Sequence, residues 1–188
     1  MYQKNKLRKK FLKIRKEKYF DITARSLDIL VTYLNKKYKS KKLILSLYYP
    51  SNFEFNILKI FENRRFKNFI TLLPYVRKNY IMEFYKWDPK DILTVNKFGM
   101  LQPMKNKKRF FPNVILLPLL AFDKYKNRLG YGKGYYDRYL SRFIKINKKI
   151  ETIGIAFAFQ KHKKLPFASH DIKLDKIFTE KGFLKWKY

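Results

Sequence analysis

Three glycines at alternate positions, Gly130, Gly132 and Gly134, stand out in a chain of 188 residues that has only six glycines. Glycine allows positive φ and a close approach of the backbone to a ligand, and successive N–H groups can form an anion-binding concavity. Arg128 and Lys133 add positive charge to the same stretch. A helix beginning near Gly134 would add unpaired N–H groups and its positive dipole end. The stretch is therefore suited to binding a polyphosphate.

The spacing of these glycines matches neither of the common nucleotide-binding motifs. The P-loop needs Ser or Thr after its lysine, and here Gly134 follows Lys133; the dinucleotide motif needs G-x-G-x-x-G. From the residues alone, a phosphate site and a mobile turn with two core tyrosines are equally supported. Asp137 is also ambiguous, since a single acid in the first turn of a helix is usually a surface residue favoured by the dipole.

The glycine stretch lies between a predicted buried strand and a predicted helix. The apolar run at 114–122 is typical of a strand covered on both faces, and residues 135–146 carry apolar side chains at helical spacing. In α/β folds, ligands bind outside the carboxyl ends of the strands, where loops lead into helices. The stretch is therefore in the right place for a ligand site.

The remaining elements alternate between helices and strands. An amphipathic basic helix is predicted at about 3–18, a second helix at 21–38 and further helices at 55–66 and 135–146. Strands are predicted at 43–49, 69–73, 80–85, 114–117 and 152–159. We therefore expect an α/β fold, a single-domain three-layer αβα arrangement over residues 1–188 with a mostly parallel central sheet, led by two amino-terminal helices.

The charge of the chain allows two interpretations. Lys and Arg number 45 against 14 Asp and Glu, a net charge of +31 that would attract nucleic acid or an anionic membrane. However, Lys, Asn, Ile, Phe and Tyr are over-used together, as A/T-rich codons would produce, and the lysines are spread along the whole chain. We favour codon bias, and a basic nucleic-acid-associated protein remains the alternative.

The absence of cysteine excludes disulfides, cysteine zinc sites and a cysteine nucleophile. No apolar run is long enough to span a bilayer, and the first residues lack the apolar core of a secretory signal. We expect a soluble cytoplasmic protein that acts as a monomer, without a membrane or a specific nucleic acid as partner.

The segment "FDKYKNRLGYGKGYYDRYL" (122–140) resembles the signature of the 5-formyltetrahydrofolate cyclo-ligase family, F-D, a short turn, R-L-G-x-G-x-G-Y-Y-D and then a helix. Further segments are similar to family motifs and follow in family order: "KNKLR" (4–8), "YIMEFYKW" (80–87), "FGMLQP" (98–103), "GIAFAFQ" (154–160) and "LPFASHDIKLDKIFTE" (165–180). The similarity therefore covers essentially the whole chain.

The resemblance implies an enzyme that uses ATP and Mg²⁺ to convert 5-formyltetrahydrofolate, with or without a polyglutamate tail, into 5,10-methenyltetrahydrofolate. By motif position, ATP would contact Lys4, Asn5, Lys6, Leu7, Arg8, Arg128, Leu129, Gly130, Tyr131, Gly132, Lys133, Gly134, Tyr135 and Tyr136. The folate would contact Tyr49, Glu54, Met82, Phe84, Trp87, Tyr131, Gly132, Lys133, Gly134 and Tyr135. The Mg²⁺ ligands would be Asp137 and Asp171. His170 beside Asp171 suggests a metal ligand or a base, but imidazole is a poor Mg²⁺ ligand, so we favour a structural or hydrogen-bonding role.

The chemistry of the implied reaction accounts for these residue types. A formyl oxygen is a weak nucleophile, so catalysis lies in positioning it in line with the γ-phosphorus and in stabilising the transferring charge. Lys133 and Arg128 would supply fixed positive charge, and the carboxylate of Glu54 would pair the N–H donors of the pterin. Five aromatic side chains would form a wall that excludes water: Tyr131, Tyr135, Tyr136, Phe84 and Trp87.

The sequence departs from the family pattern at several positions: Leu119 replaces a glycine, Asn113 an aspartate and Lys126 a turn glycine. We expect Asn127 to take the positive φ of that turn. An inactive family member that only binds folate is a further alternative, and the intact glycines, Lys133 and Asp137 argue against it.

Overall fold

A computed structural model describes residues 2–39, 41–67, 69–145 and 150–184. The helices are α1 (Tyr2–Lys18), α2 (Asp28–Lys37) and α3 (Tyr135–Lys145), with 3₁₀ turns at Ala24–Leu27, Ile57–Glu62, Lys78–Tyr80 and Ala158–Gln160. The strands are β1 (Ile44–Ser46), β2 (Ile70–Val76), β3 (Met82–Lys86), β4 (Leu93–Val95), β5 (Leu101–Pro103), β6 (Val114–Pro118), β7 (Ala121–Phe122), β8 (Arg128–Leu129), β9 (Glu151–Ile155), β10 (Lys176–Thr179) and β11 (Gly182–Phe183).

Seven of the strands form one sheet in the order β11-β10-β9-β6-β1-β2-β3. The five inner strands, from β10 to β2, are parallel, and the two edge strands are antiparallel. β2 and β3 are antiparallel because the few residues between them are too short for a crossover, which needs a dozen or more. The expected α/β fold with a mostly parallel sheet is confirmed.

The two faces of the sheet carry separate apolar clusters. Because side chains alternate along a strand, Leu116 lies in the cluster that includes α2, and its neighbours Ile115 and Leu117 lie in the cluster that includes α3. The layers therefore follow the αβα arrangement that the strand and helix pattern predicts.

The first helix has a different partner. Phe11 of α1 is buried in a third cluster with Leu120, Ala121, Leu129 and Leu165. These residues include parts of the short β7–β8 ribbon, which follows the carboxyl end of β6. The packing of α1 therefore brings it to the segment that leads into the glycine stretch.

Two helix predictions were wrong in extent. The predicted helix at 55–66 is only the 3₁₀ turn Ile57–Glu62. Asn56 accepts a hydrogen bond from the N–H of Leu58, and Asn63 accepts one from the N–H of Arg65. Asparagine side chains that bond nearby backbone in this way compete with helix formation. The predicted helix at 21–38 begins instead as the turn Ala24–Leu27 and becomes α2 at Asp28.

The other predicted elements are present with different ends. The predicted strands at 43–49 and 152–159 are Ile44–Ser46 and Glu151–Ile155, and the predicted helix at 135–146 is α3, with Ile146 outside the described residues. Sequence patterns did not predict β10, β11 or the two small ribbons. In the described part of the chain, no helix is both long and apolar enough to cross a membrane.

Candidate active site

The glycine loop, residues 130–134, runs from the end of β8 to the start of α3. Gly132 has φ 97° and Gly134 has φ 64°, a backbone region that side chains with a Cβ rarely adopt. Local backbone geometry therefore favours glycine at these two positions.

One face of α1 carries Lys4, Arg8, Phe11 and Arg15, which the helical repeat places in a single stripe. Arg8 Nε donates a 2.9 Å hydrogen bond to the carbonyl oxygen of Gly130. A Cβ on Gly132 would lie only 3.0 Å from Arg8 Cζ. The guanidinium of Arg8 therefore lies directly against the backbone of the glycine loop. Its positive charge lies beside the N–H groups of that loop.

Asp137 and Asp171 are brought together by the segment around Ile172. Arg128 Nη2 lies 2.7 Å from Asp137 Oδ1, and Arg128 Nη1 donates a 2.6 Å hydrogen bond to the carbonyl oxygen of Ile172. The N–H of Ile172 donates to Asp137 Oδ1 at 3.2 Å. Asp171 precedes Ile172 in the chain, so the two predicted metal ligands are neighbours.

Asp171 forms an ion pair with Lys4 and accepts a 2.7 Å hydrogen bond from the N–H of Ala168. Burial opposes ionisation, but these two hydrogen bonds outweigh it and hold the pKa of Asp171 below its usual value. Asp171 is therefore a carboxylate at neutral pH. This pair also fixes the amino-terminal end of α1 against the segment that carries Asp171.

The donor set fits Mg²⁺, which prefers hard oxygen ligands and is typically held by one or two carboxylates plus phosphate oxygens. Within the described residues, both hydrogen bonds accepted by Asp137 go to Oδ1. No group of three or more His, Asp or Glu side chains suited to a metal occurs in that part of the chain. His170 is exposed, and its Nε2 lies 3.9 Å from Asp171 Oδ1.

Glu54 follows β1 and is only 6% exposed. Its Oε1 accepts a hydrogen bond from the hydroxyl of Tyr131, and its Oε2 accepts one of 2.9 Å from the N–H of Ser51. Burial raises the pKa of Glu54, although the Tyr131 hydroxyl and the charge of Arg15 oppose this rise. The acid predicted to bind folate thus touches the loop predicted to bind ATP.

The other predicted folate contacts are divided between the two faces of the sheet. Phe84 is 1% exposed and packs edge-on against Tyr139 at 4.8 Å, in the same cluster as Met82. Trp87 is buried in the opposite cluster, with Tyr49 edge-on at 6.5 Å. Phe84 and Trp87 therefore do not belong to one continuous aromatic wall, and their contact with folate stays a prediction.

The remaining predicted ATP contacts differ in exposure. Lys6 and Lys133 are exposed, and the Lys133 ammonium lies 5.5 Å from the ring centroid of Phe98. Leu7 packs against the third apolar cluster, which contains Phe11 and Leu129. Asn5 accepts a hydrogen bond from Arg8. Tyr135 is buried and Tyr136 partly so, and burial raises the pKa of both hydroxyls.

Lys126, which stands at the position of a family turn glycine, itself has φ 66°. The expectation that Asn127 takes the positive φ was therefore wrong. Asn127 is buried instead, and its Nδ2 donates a 2.9 Å hydrogen bond to Asp123 Oδ2. This bond ties Asn127 to the other end of the turn, and Lys126 carries the backbone strain.

Sequence reasoning missed Arg15. Its side chain is 1% exposed, and in the described part of the chain Nε, Nη1 and Nη2 have no hydrogen-bond partner. Its Cζ lies 5.5 Å from the ring centroid of Tyr131. The signal that would have found it is the spacing of Lys4, Arg8 and Arg15 along one helical stripe.

The fold and these groups define an α/β protein with a basic, glycine-rich loop at the carboxyl edge of its sheet. The model of the 5-formyltetrahydrofolate cyclo-ligase family matches residues 1–180. The chain belongs to this family, and it is therefore related to ligases of folate metabolism.

Similar proteins cover most of the chain. The Aquifex aeolicus 5,10-methenyltetrahydrofolate synthetase structure has a TM-score of 0.76 and 30% identity, covering 98% of this chain and 93% of its own. The Mycoplasma pneumoniae 5,10-methenyltetrahydrofolate synthetase has a TM-score of 0.70 and 28% identity, covering 94% and 98%. The Haemophilus influenzae 5-formyltetrahydrofolate cyclo-ligase is 30% identical over 142 residues, 72% of this chain and 74% of that protein.

Proposed function

We propose that this protein uses Mg²⁺-ATP to convert 5-formyltetrahydrofolate into 5,10-methenyltetrahydrofolate, releasing ADP and phosphate. The observation that carries the proposal is the position of the glycine loop. Its backbone at Gly130 and Gly132 contacts Arg8, and its Tyr131 is bonded to Glu54. One short loop thus borders both a cationic surface suited to a triphosphate and an acid suited to a pterin.

ATP would bind with its phosphates against the glycine loop. The loop offers N–H groups that lead into the first turn of α3, where the helix dipole also favours negative charge. Lys4 and Arg8 from α1, with Arg128 from β8, supply fixed positive charge around it. Phosphoryl transfer depends mainly on such positioning and charge stabilisation.

Asp137 and Asp171 would hold the magnesium ion together with phosphate oxygens. When bound, Mg²⁺ supplies positive charge to the phosphate oxygens of ATP. Arg128 pairs with Asp137 and Lys4 pairs with Asp171, so both carboxylates are held in place. This placement supports both motif-based ligand assignments.

Folate would bind beside the loop, with its pterin N–H donors paired to Glu54. The formyl oxygen attacks the γ-phosphorus and the bond to ADP breaks, which leaves a phosphorylated formyl group. N10 of the same folate then attacks the formyl carbon. Phosphate leaves with the former formyl oxygen, and N10 gives up its proton. The chain needs no nucleophile of its own, which agrees with a site made of cations, glycines and carboxylates.

The direct test mixes purified protein, Mg²⁺-ATP and 5-formyltetrahydrofolate and follows the ultraviolet absorption of the methenyl product. We expect product in proportion to ADP released, and no product when ATP is omitted. ADP release without methenyl product, or no turnover with either substrate in excess, would contradict the proposal.

A further inference from the structure

Arg15 is an unusual group for the interior of a protein. Its guanidinium has five N–H donors and no acceptor of its own; it is 1% exposed, and among the described residues Nε, Nη1 and Nη2 have no hydrogen-bond acceptor, while its charge lies over the ring of Tyr131. A buried cation without hydrogen-bond acceptors is costly, so a ligand that offers an acceptor beside it would be favoured. Its neighbours indicate what that ligand is.

Arg15 and Glu54 both lie close to Tyr131. The guanidinium is 5.5 Å from the centre of the Tyr131 ring, and the hydroxyl of that ring is bonded to Glu54 Oε1. The positive charge of Arg15 is also felt at Glu54, where it opposes the rise in pKa that burial causes. A buried donor and a buried acceptor thus both lie beside Tyr131.

We propose that Arg15 is a specificity-determining residue that donates a hydrogen bond to the 4-oxo group of the pterin while Glu54 accepts from the neighbouring N–H donors. The proposal rests on the proposed function and names which edge of the substrate the site reads. A 2-amino-4-oxopteridine presents two N–H donors beside a carbonyl acceptor on one edge. A carboxylate beside a guanidinium has the complementary order of acceptors and donors.

Tyr131 occupies this place in the free protein. Its ring is 38% exposed and covers Arg15, and its hydroxyl takes the Glu54 oxygen that a pterin N–H would use. Gly130 and Gly132 flank it, so the backbone on both sides tolerates a wide range of φ. Folate therefore replaces the Tyr131 hydroxyl at Glu54 and uncovers Arg15, which then gains its acceptor.

The test compares 5-formyltetrahydrofolate with its 4-amino counterpart, which carries a donor where the natural ligand has an acceptor. Binding of both ligands is measured by calorimetry without ATP for the native protein and for Arg15→Met. We expect the preference for the 4-oxo ligand to fall by roughly 10- to 100-fold in the variant, the effect of losing one hydrogen bond to a charged group. The melting temperature should stay the same or rise, since an unpaired buried cation is removed.

Lys16→Met is the matched control, because Lys16 is an exposed cation on the same helix; its preference should equal that of the native protein. Should Arg15→Met fail to fold, the native protein is tested alone, and equal affinity for the 4-oxo and the 4-amino ligand overturns the proposal. Equal weakening of both ligands in Arg15→Met, or no weakening of either, also overturns it.

The outcome separates this proposal from the proposed function. A native protein that makes the methenyl product but shows the same preference after Arg15→Met contradicts only the role of Arg15. A native protein that binds neither folate contradicts both.

Discussion

Arg8 of α1 donates its Nε–H to the carbonyl oxygen of Gly130 at 2.9 Å, across 122 residues of sequence. The same guanidinium lies against Gly132, where a Cβ would come within 3.0 Å of Cζ. The first helix is therefore fixed to the glycine loop, and a Cβ at position 132 would force the Arg8 side chain to shift. This relationship makes the glycines individually testable.

Gly132→Ala should damage the site more than Gly130→Ala. Gly132 has φ 97° and its Cβ would meet Arg8. Gly130 does not have positive φ, and apart from its chain neighbours no heavy atom of the described residues would lie within 4 Å of a Cβ there. A side chain forced into such a backbone region costs about 1–3 kcal/mol. We expect Gly132→Ala to lower the melting temperature and weaken ATP binding, measured by calorimetry. Equal effects of the two substitutions would show that the contact with Arg8 is unimportant.

Asp137→Asn should reduce turnover by at least about 100-fold, the usual effect of losing one charge-stabilising group. Asparagine keeps the size of the side chain but removes the charge that faces Arg128 and that would hold Mg²⁺. The rate of methenyl formation, and the Mg²⁺ concentration that half-saturates it, would be measured. Asp91→Asn is the control, since Asp91 pairs with Lys107 just before β4. Native activity in Asp137→Asn would rule out the assigned metal role.

Glu54 should make folate binding depend on pH. Burial raises its pKa, so the carboxyl takes up a proton at a higher pH than the usual value of about 4.3. A protonated carboxyl loses its charged acceptors, so folate affinity should decline as the pH falls towards that raised pKa. Calorimetric titrations of folate between pH 5 and 8 would measure this decline. In Glu54→Gln the pH dependence should disappear, and folate affinity should be at least about 10-fold lower than in the native protein.

The same shift predicts an opposite effect on stability. A carboxyl whose pKa is raised by folding contributes stability below its unfolded pKa, and this contribution is lost as the pH rises through the folded pKa. Glu54→Gln should therefore melt at a higher temperature than the native protein at pH 8, with a smaller difference at pH 5. Glu62→Gln, on an exposed side chain paired with Lys59, is the control. A destabilising Glu54→Gln at pH 8 would contradict the assigned shift.

Glu151, at the start of β9, should stabilise the fold without serving the reaction. It accepts hydrogen bonds from Tyr33 and Tyr38 and lies 2.8 Å from Lys37. Burial alone would raise its pKa, but these groups outweigh burial and lower it. The stability that Glu151 contributes is therefore present above the pKa that Glu151 has in the unfolded protein. It is lost as the pH falls through the lower pKa that Glu151 has in the folded protein.

Urea unfolding at pH 7 should show that Glu151→Gln loses about 2 kcal/mol, the contribution of hydrogen bonds to a charged group. The rate of methenyl formation should be unchanged. Glu17→Gln, in the exposed pair with Lys13, should change stability by less than about 0.5 kcal/mol. A loss of turnover without a loss of stability in Glu151→Gln would contradict this assignment.

Several features of the site could be predicted because their causes are local. The positive φ at Gly132 and Gly134 favours glycine, so the residue type itself marks the loop. The alternation of side chains along a strand also predicts which face of the sheet each residue occupies. Phe84 and Trp87 are three positions apart, an odd separation that places strand side chains on opposite faces, as the two clusters show.

The sequence by itself therefore determined the α/β pattern, the buried strands and the loop, because hydrophobic periodicity and backbone strain depend on neighbouring residues. Only the tertiary structure decided which distant groups meet. Lys4 reaches Asp171 across 167 positions, and Glu54 reaches Tyr131 across 77. Such contacts depend on how α1 and the segment after β1 pack at the carboxyl edge of the sheet, and this packing exists only when the distant segments have come together. The burial of Arg15 on α1 depends on the same packing.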